Sequence, residues 1–135
     1  MRFMIIVKAT ADTEAGAMPQ ESMVAAMVDY HEQIAAAGAL IDASGLQPSA
    51  RGWRVRYRGD ERLVIDGPFA ESKELLAGYT LIRAASREEA LAWTRRFPNP
   101  VGPGCDAEIE VRQLFELEDF EDGEAIRRFR QLGTL

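Results

Sequence analysis

Apolar side chains crowd the first nine residues on both parities: Phe3, Ile5 and Val7 on one, Met4 and Ile6 on the other. Strict alternation would mark a strand with one wet face, whereas apolar residues on both parities mark a strand covered on both. The pattern predicts a central strand over Phe3 to Ala9. After a loop holding Gly16 and Pro19 the period lengthens. Val24, Met27, Val28, His31, Ile34 and Ala35 recur at helical spacing and predict a helix from about Gln20 to Ala37 with one apolar stripe. Gly38 follows where a helix-ending glycine belongs.

Leu40 to Leu46 reads as a second strand, running into Gln47-Pro48-Ser49. Trp53 to Arg58 alternates cleanly, with Trp53, Val55 and Tyr57 opposite Arg54, Arg56 and Arg58. Gly59-Asp60 supplies a hairpin turn, and Leu63 to Asp66 returns. The arginines suit either an anion patch or the exposed face of an edge strand, where charge opposes edge-to-edge pairing. Tyr79 to Ala84 is the next strand. Ser86 and Glu89 form a capping box that opens a helix through Phe97, with Ala90, Leu91, Thr94 and Phe97 inward. Pro98 and Pro100 stop it. Ala107 to Phe115 is the last strand, with Ile109, Val111 and Gln113 opposite Glu108, Glu110 and Arg112.

The order β-α-β-(β-hairpin)-β-α-β is a ferredoxin-like α+β pattern with an inserted hairpin. Two helices cover one face of the sheet. Met4, Ile6 and Ile82 are assigned to the other, which water would not leave exposed, and a second copy packed sheet to sheet is the economical cover. The pattern therefore predicts a homodimer. Whether Lys8, Glu110 and Arg112 project into the space so enclosed depends on parity, which a one-residue slip reverses. Beyond Glu116 the chain changes character. Glu116, Glu118, Asp119, Glu121, Asp122 and Glu124 precede Arg127, Arg128 and Arg130, while Ile126, Phe129 and Leu132 recur at helical spacing. Residues 1–116 are read as the domain and 117–135 as a tail ending in a short amphipathic helix whose acids and bases suit its dipole.

Composition narrows the function classes. A chain of 135 residues is one domain that can bury a core without staples. A formal net charge of −6 argues against direct nucleic-acid binding and against an anionic membrane surface. No apolar run reaches the roughly 20 residues of a membrane span, and the N-terminal segment is too short for a secretory signal, so the expected location is the cytoplasm. A single cysteine, Cys105, allows no internal disulfide, and with one histidine it makes no zinc site. The loop around Cys105 offers no base to activate a nucleophile. No nucleotide loop, metal triad or Ser-His-Asp order is present, so neither metal nor cofactor is expected.

The densest chemistry lies at Asp66-Gly67-Pro68-Phe69-Ala70-Glu71-Ser72-Lys73-Glu74, a rigid turn between two strand-like runs. Asp66, held at a strand end, is either an acid–base group or an Asx-type cap on its own turn. Glu71, Glu74 and Lys73 either bind a ligand or pair with one another. His31, the only imidazole, is either a base facing a cleft or a core histidine satisfied by a carbonyl. Arg112 is a further candidate for ligand binding if its face is enclosed.

The nonapeptide, followed by Gly78-Tyr79, resembles the signature of the DGPF-domain branch of the YCII-related proteins. Supporting likeness extends over Gly38-Ala39-Leu40, Gly45-Leu46-Gln47-Pro48, Ser86 to Trp93 and Glu110-Val111-Arg112, about residues 2 to 120 in all. The resemblance implies a dimeric α+β barrel, largely unassigned activity, and kinship with proteins encoded beside extracytoplasmic-function sigma factors. YCII relatives carry a His and an Asp proposed as an acid–base pair, but His31 does not stand at that His position, which lies further upstream. Two readings follow. One is a cofactor-free enzyme using acid–base chemistry on a small anionic or carbonyl-bearing molecule. The other is a non-catalytic dimeric module that binds a small ligand or a regulatory partner.

Overall fold

The computed structural model describes residues 1–70 and 74–133. Its elements are β1 (Arg2–Lys8), α1 (Ala11–Glu14), α2 (Glu21–Ala36), β2 (Leu40–Gly45), β3 (Trp53–Arg58), β4 (Glu61–Asp66), β5 (Leu76–Arg83), α3 (Arg87–Arg95), β6 (Ile109–Gln113) and α4 (Glu124–Leu132). Single 3-10 turns lie at Ser49–Arg51 and Leu117–Asp119. The main sheet has the order β2-β5-β1-β6 with every neighbour antiparallel, and β3 pairs with β4 as a separate two-stranded sheet. With the hairpin set aside, this is the ferredoxin-like order.

The core lies between the helices and one sheet face. Phe3 and Ile5 of β1 and Ile82 of β5 meet Tyr30 and Ile34 of α2 and Ala90 of α3. Tyr30 ties the two helices together: its ring meets Phe97 edge-on at 5.2 Å and its hydroxyl donates to the Trp93 carbonyl at 2.7 Å. Burial pushes this phenol up to about 12, against an opposing pull from Arg96. A folded-state value above the ordinary one near 10 means the unfolded chain ionises first as pH rises. The stabilisation is complete below about pH 10 and is lost towards pH 12. Alkaline unfolding followed by circular dichroism should therefore steepen in that window for the parent and less so for Tyr30→Phe.

Two expectations about faces are corrected. Ile82 was assigned to the face away from the helices, yet it stands opposite Phe3 in the β1–β5 ladder and is fully buried in the core. Residues directly opposite share a face, so Leu81 and Tyr79, opposite Met4 and Ile6, occupy the open face instead. The stripe of α2 is also rotated from the one read in the sequence. Tyr30 and Ile34 are buried, Met23, Ala26, Met27 and His31 are half-buried, and Val24, Val28 and Ala35 are exposed. The physical reason is Tyr30, whose apolar ring enters the core while its hydroxyl finds a carbonyl.

Ser86 caps α3 by accepting from the Glu89 N–H at 3.1 Å, and Glu89 in turn accepts from the Ala85 N–H at 3.1 Å, one residue before the position of a reciprocal box. Ser86→Ala should cost about 1 kcal/mol, a fall in melting temperature of roughly 3–6 °C for a domain of this size. The inward residues of α3 are Ala90 and Thr94 with Trp93 and Phe97 packed beside them, while Leu91 points to solvent.

Candidate functional site

Gly67 seats the Asp-Gly-Pro-Phe turn on the 3-10 turn at Ser49–Arg51. Its N–H donates to the Gly52 carbonyl at 3.0 Å, and a Cβ at this position would lie 1.8 Å from the Ser49 carbonyl oxygen. Only glycine permits that approach. The Gly67–Pro68 peptide is cis. Phe69 then donates its N–H to Ser49 Oγ at 3.0 Å, and the Arg54 guanidinium covers the Phe69 ring at 3.8 Å.

Ser49 links this turn to Glu14. Its Oγ donates to Glu14 Oε2 at 2.5 Å and its N–H donates to Glu14 Oε1 at 3.1 Å. Glu14 is carried by α1, a helix of four residues held by reciprocal capping: Thr10 Oγ1 accepts from the Thr13 N–H, and the Thr10 N–H donates to Thr13 Oγ1. Ala9, just before the cap, donates to the Leu75 carbonyl at 2.9 Å. The loop after β1, through Glu14, and the turn after β4, through Phe69, thus meet on Ser49 of the segment after β2. Beside it opens a cleft of about 210 Å³ whose walls include Glu14, Leu46, Gln47, Ser49, Arg51 and Leu76. Two lone-pair sites of the Glu14 carboxylate remain beyond those that Ser49 occupies. A broader depression of about 380 Å³ lies beside Met1, Gly38 and Arg83, remote from the motif in the chain.

Asp66 ends β4 opposite Trp53, exposed, and does not line the cleft. His31 is half-buried between α2 and the sheet. The Met27 carbonyl, 2.6 Å from Nδ1, can only accept, so Nδ1 carries a proton, and Nε2 meets the Thr80 hydroxyl at 2.9 Å. This bond satisfies the buried Thr80, and Asp66 is not among the partners of His31. Glu74 is exposed. Glu71 and Lys73 lie outside the described residues. Arg112 stands on the open sheet face, where register places it opposite Met4 and places Glu110 opposite Ile6. Lys8 donates to Glu110 at 3.2 Å and Arg112 does so at 3.3 Å, and these two hydrogen bonds, Lys8 first, hold the Glu110 carboxyl below the usual range. Parity is thereby settled: Lys8, Glu110 and Arg112 share the face of Met4 and Ile6. Among the described residues no three His, Cys, Asp or Glu side chains gather as a metal site would need.

Sequence reasoning missed Glu14 and Ser49. Thirty-five positions separate them, and no local period connects them. The available signals were Thr10 and Thr13 at capping distance and a serine just after Pro48.

A family model described as the YCII-related domain matches residues 1–116. The chain belongs to this family. An uncharacterized protein of Rhizobium meliloti (strain 1021) is 43% identical over 78 residues, 58% of this chain and 61% of the relative's own length. The chain thus spans about three-fifths of the curated relative that it matches. Among solved structures, the 5-chloro-2-hydroxyhydroquinone dehydrochlorinase of Burkholderia phenoliruptrix AC1100, in complex with 2,5-dihydroxybenzoquinone, is 14% identical with a TM-score of 0.44, over 90% of this chain and 100% of that one. No helix among the described residues is long and apolar enough to cross a membrane.

Proposed function

We propose that this YCII-related protein is a cofactor-free enzyme acting on a small carbonyl-bearing or anionic molecule by acid–base chemistry in the cleft beside the Asp-Gly-Pro-Phe turn. The observation that carries the reading is Glu14 at the edge of that cleft, held by both the N–H and the hydroxyl of Ser49, the residue on which the Asp-Gly-Pro-Phe turn also rests. Such a carboxylate is fixed in position, keeps lone pairs for a substrate proton, and lies beside the cationic Arg51, which suits an anionic or polarised oxygen. The volume is below the roughly 300–1,000 Å³ of drug-sized pockets, so the substrate class is a small metabolite. Glu14 is the proton-transferring group in this account. Asp66 and His31, the acid–base candidates of the sequence, become supports: Asp66 terminates the strand that delivers the turn, and His31 braces α2 against Thr80. Glu71, Lys73 and Glu74 remain proposed as ligand contacts.

The test is proton exchange. Incubating the protein in D2O with a panel of small ketones, keto acids and lactones should reveal one class whose carbon-bound proton exchanges, read by NMR. Glu14→Gln should slow that exchange by about 100-fold or more while leaving the fold intact, whereas Asp66→Asn should slow it little. Unchanged exchange in Glu14→Gln removes Glu14 from the chemistry. A bound ligand with no exchange would favour the second reading, a ligand-binding or regulatory module, since the bonds to Ser49 would serve that role equally.

The open sheet face is proposed to pair with a second copy. Met4, Ile6 and Leu81 are apolar there, and the ion pairs of Glu110 border them. Sedimentation should give twice the 15.0 kDa chain mass, and Leu81→Lys should return the protein to monomer because a charge would be desolvated at the contact. A parent monomer at micromolar concentration would overturn the pairing.

A further inference from the structure

The cleft beside the Asp-Gly-Pro-Phe turn carries one charge of each sign, and the two do not pair. Glu14 and Arg51 both line it, yet no Arg51 nitrogen lies within 4.0 Å of a Glu14 oxygen. Among the described residues the Arg51 side chain has no ion-pair or hydrogen-bond partner at all. Ser49 holds the carboxylate instead, donating its N–H to one Glu14 oxygen and its hydroxyl to the other. The backbone of Arg51 is fixed by the same 3-10 turn. Its N–H donates to the Pro48 carbonyl at 2.9 Å, and the Gly52 N–H donates to the Ser49 carbonyl at 2.9 Å. Gly52 in turn accepts from Gly67 of the motif. One turn, braced by the motif, therefore brings both charges to the cleft.

Apolar surface makes up much of the remaining wall, through Leu46, Leu75 and Leu76. Leu46 is placed by its N–H on the Ala77 carbonyl at 2.8 Å, and Leu75 by its carbonyl, which accepts from Ala9. Gln47 adds a side-chain amide with no partner among the described residues. The volume of about 210 Å³ is the liquid share of about seven waters.

These groups select among small molecules. A carboxylate is attracted to Arg51 and repelled by Glu14, so an anion enters with its charge at Arg51 and its uncharged part towards Glu14. A second carboxylate would face either Glu14 or the leucines, and both placements cost free energy. Proton abstraction from carbon by Glu14 needs a neighbouring carbonyl, and the Gln47 amide is a donor for its oxygen. We infer, on the reading that this cleft is the working site, that its ligand is a short aliphatic oxo acid with a single carboxylate. Arg51 binds that carboxylate and sets specificity, the alkyl chain lies on Leu46, Leu75 and Leu76, and the carbon next to the carbonyl faces Glu14.

Amide mapping by NMR on the full chain tests this with 2-oxopentanoate, its methyl ester, 2-oxopropanoate and 2-oxopentanedioate. The acid 2-oxopentanoate should shift Glu14, Leu46 to Arg51 and Leu75–Leu76. It should bind at least about 10-fold more tightly than its uncharged ester, the loss expected for one charge-assisted hydrogen bond. It should also bind more tightly than 2-oxopropanoate, which has two methylenes fewer for the leucines, and than the dioate. Arg51→Gln should weaken the acid at least about 10-fold and leave the ester unchanged. Arg51 is exposed and its side chain has no partner among the described residues, so this variant keeps the fold. Acid and ester binding alike, 2-oxopropanoate binding as well as 2-oxopentanoate, tightest binding of the dioate, or equal losses of acid and ester in Arg51→Gln would each overturn the inference while leaving the cleft as the site. Shifts centred elsewhere in the chain, or none with any probe, would overturn the reading of the cleft as well.

Discussion

Gly67→Ala is expected to destabilise the protein severely and to empty the cleft of ligand. The added Cβ would stand 1.8 Å from the Ser49 carbonyl oxygen, and the carbon of that carbonyl is only 2.6 Å away. Backbone, not a flexible side chain, is the obstacle, so the turn itself must lift. Lifting it breaks the Gly67–Gly52 and Phe69–Ser49 hydrogen bonds and releases Ser49 to leave Glu14 unsupported. Two hydrogen bonds of about 1 kcal/mol each, together with the lost packing, place the effect at roughly 3 kcal/mol, or about 9–18 °C in melting temperature for a domain of this size. Differential scanning calorimetry reads it directly. A melt within 2–3 °C of the parent, on the order of a surface substitution, would show that the turn does not rest on Ser49.

The second large effect distinguishes the two sheet faces. Ile82→Ala removes a fully buried side chain from between β5 and the helices, and such truncations cost about 2–5 kcal/mol by lost transfer energy and by the cavity left behind. Leu81→Ala, one residue away on the open face, should cost under half as much in a monomer and should act chiefly on dimerisation. Chemical denaturation at low protein concentration separates them. Equal losses at both positions would mean that the register of β1 and β5 is displaced by one residue, which would also reverse the placement of Lys8, Glu110 and Arg112.

Much of the architecture was legible along the chain for identifiable reasons. The hairpin strand Trp53–Arg58 was read with its observed bounds because alternation there is unbroken and Gly59 takes a positive φ of 60° at the turn. Ser86 was read as a cap because its partner is local. Gly78, part of the family resemblance, is explained by the ladder: a Cβ there would come 2.9 Å from the Ser44 carbonyl oxygen. Errors came where tertiary packing outranked local pattern. The four residues of α1 are too few to show a period. Tyr30 shifted the stripe of α2, since its hydroxyl makes it look polar in a sequence and only the Trp93 carbonyl makes it a core residue. Ile82 was misplaced because its face follows from the pairing of β5 with β1, which sets it opposite Phe3, and no local pattern in the chain encodes that register.

The candidate site was legible only in part. The Asp-Gly-Pro-Phe turn stood out by composition, and the structure gives that turn a place beside a cleft. Glu14 and Ser49 did not stand out, because contact between segments distant in the chain leaves no spacing to read. Asp66 and His31 drew notice as rigid or singular residues. Rigidity in Asp66 reflects the end of a strand, and the two nitrogens of His31 are both engaged, by Met27 and Thr80.

The claim that the cleft beside this turn is the working site is tested most directly by mapping a ligand onto the backbone. Amide shifts of the isotopically labelled protein would be followed while small keto acids, lactones and dicarboxylates are added in turn. The account predicts that a binding compound perturbs Glu14, Leu46 to Arg51 and Leu75–Leu76, and that Glu14→Gln weakens it at least 10-fold. Perturbation centred instead on Lys8, Tyr79, Glu110 and Arg112 would contradict it and place the site on the open face of the sheet.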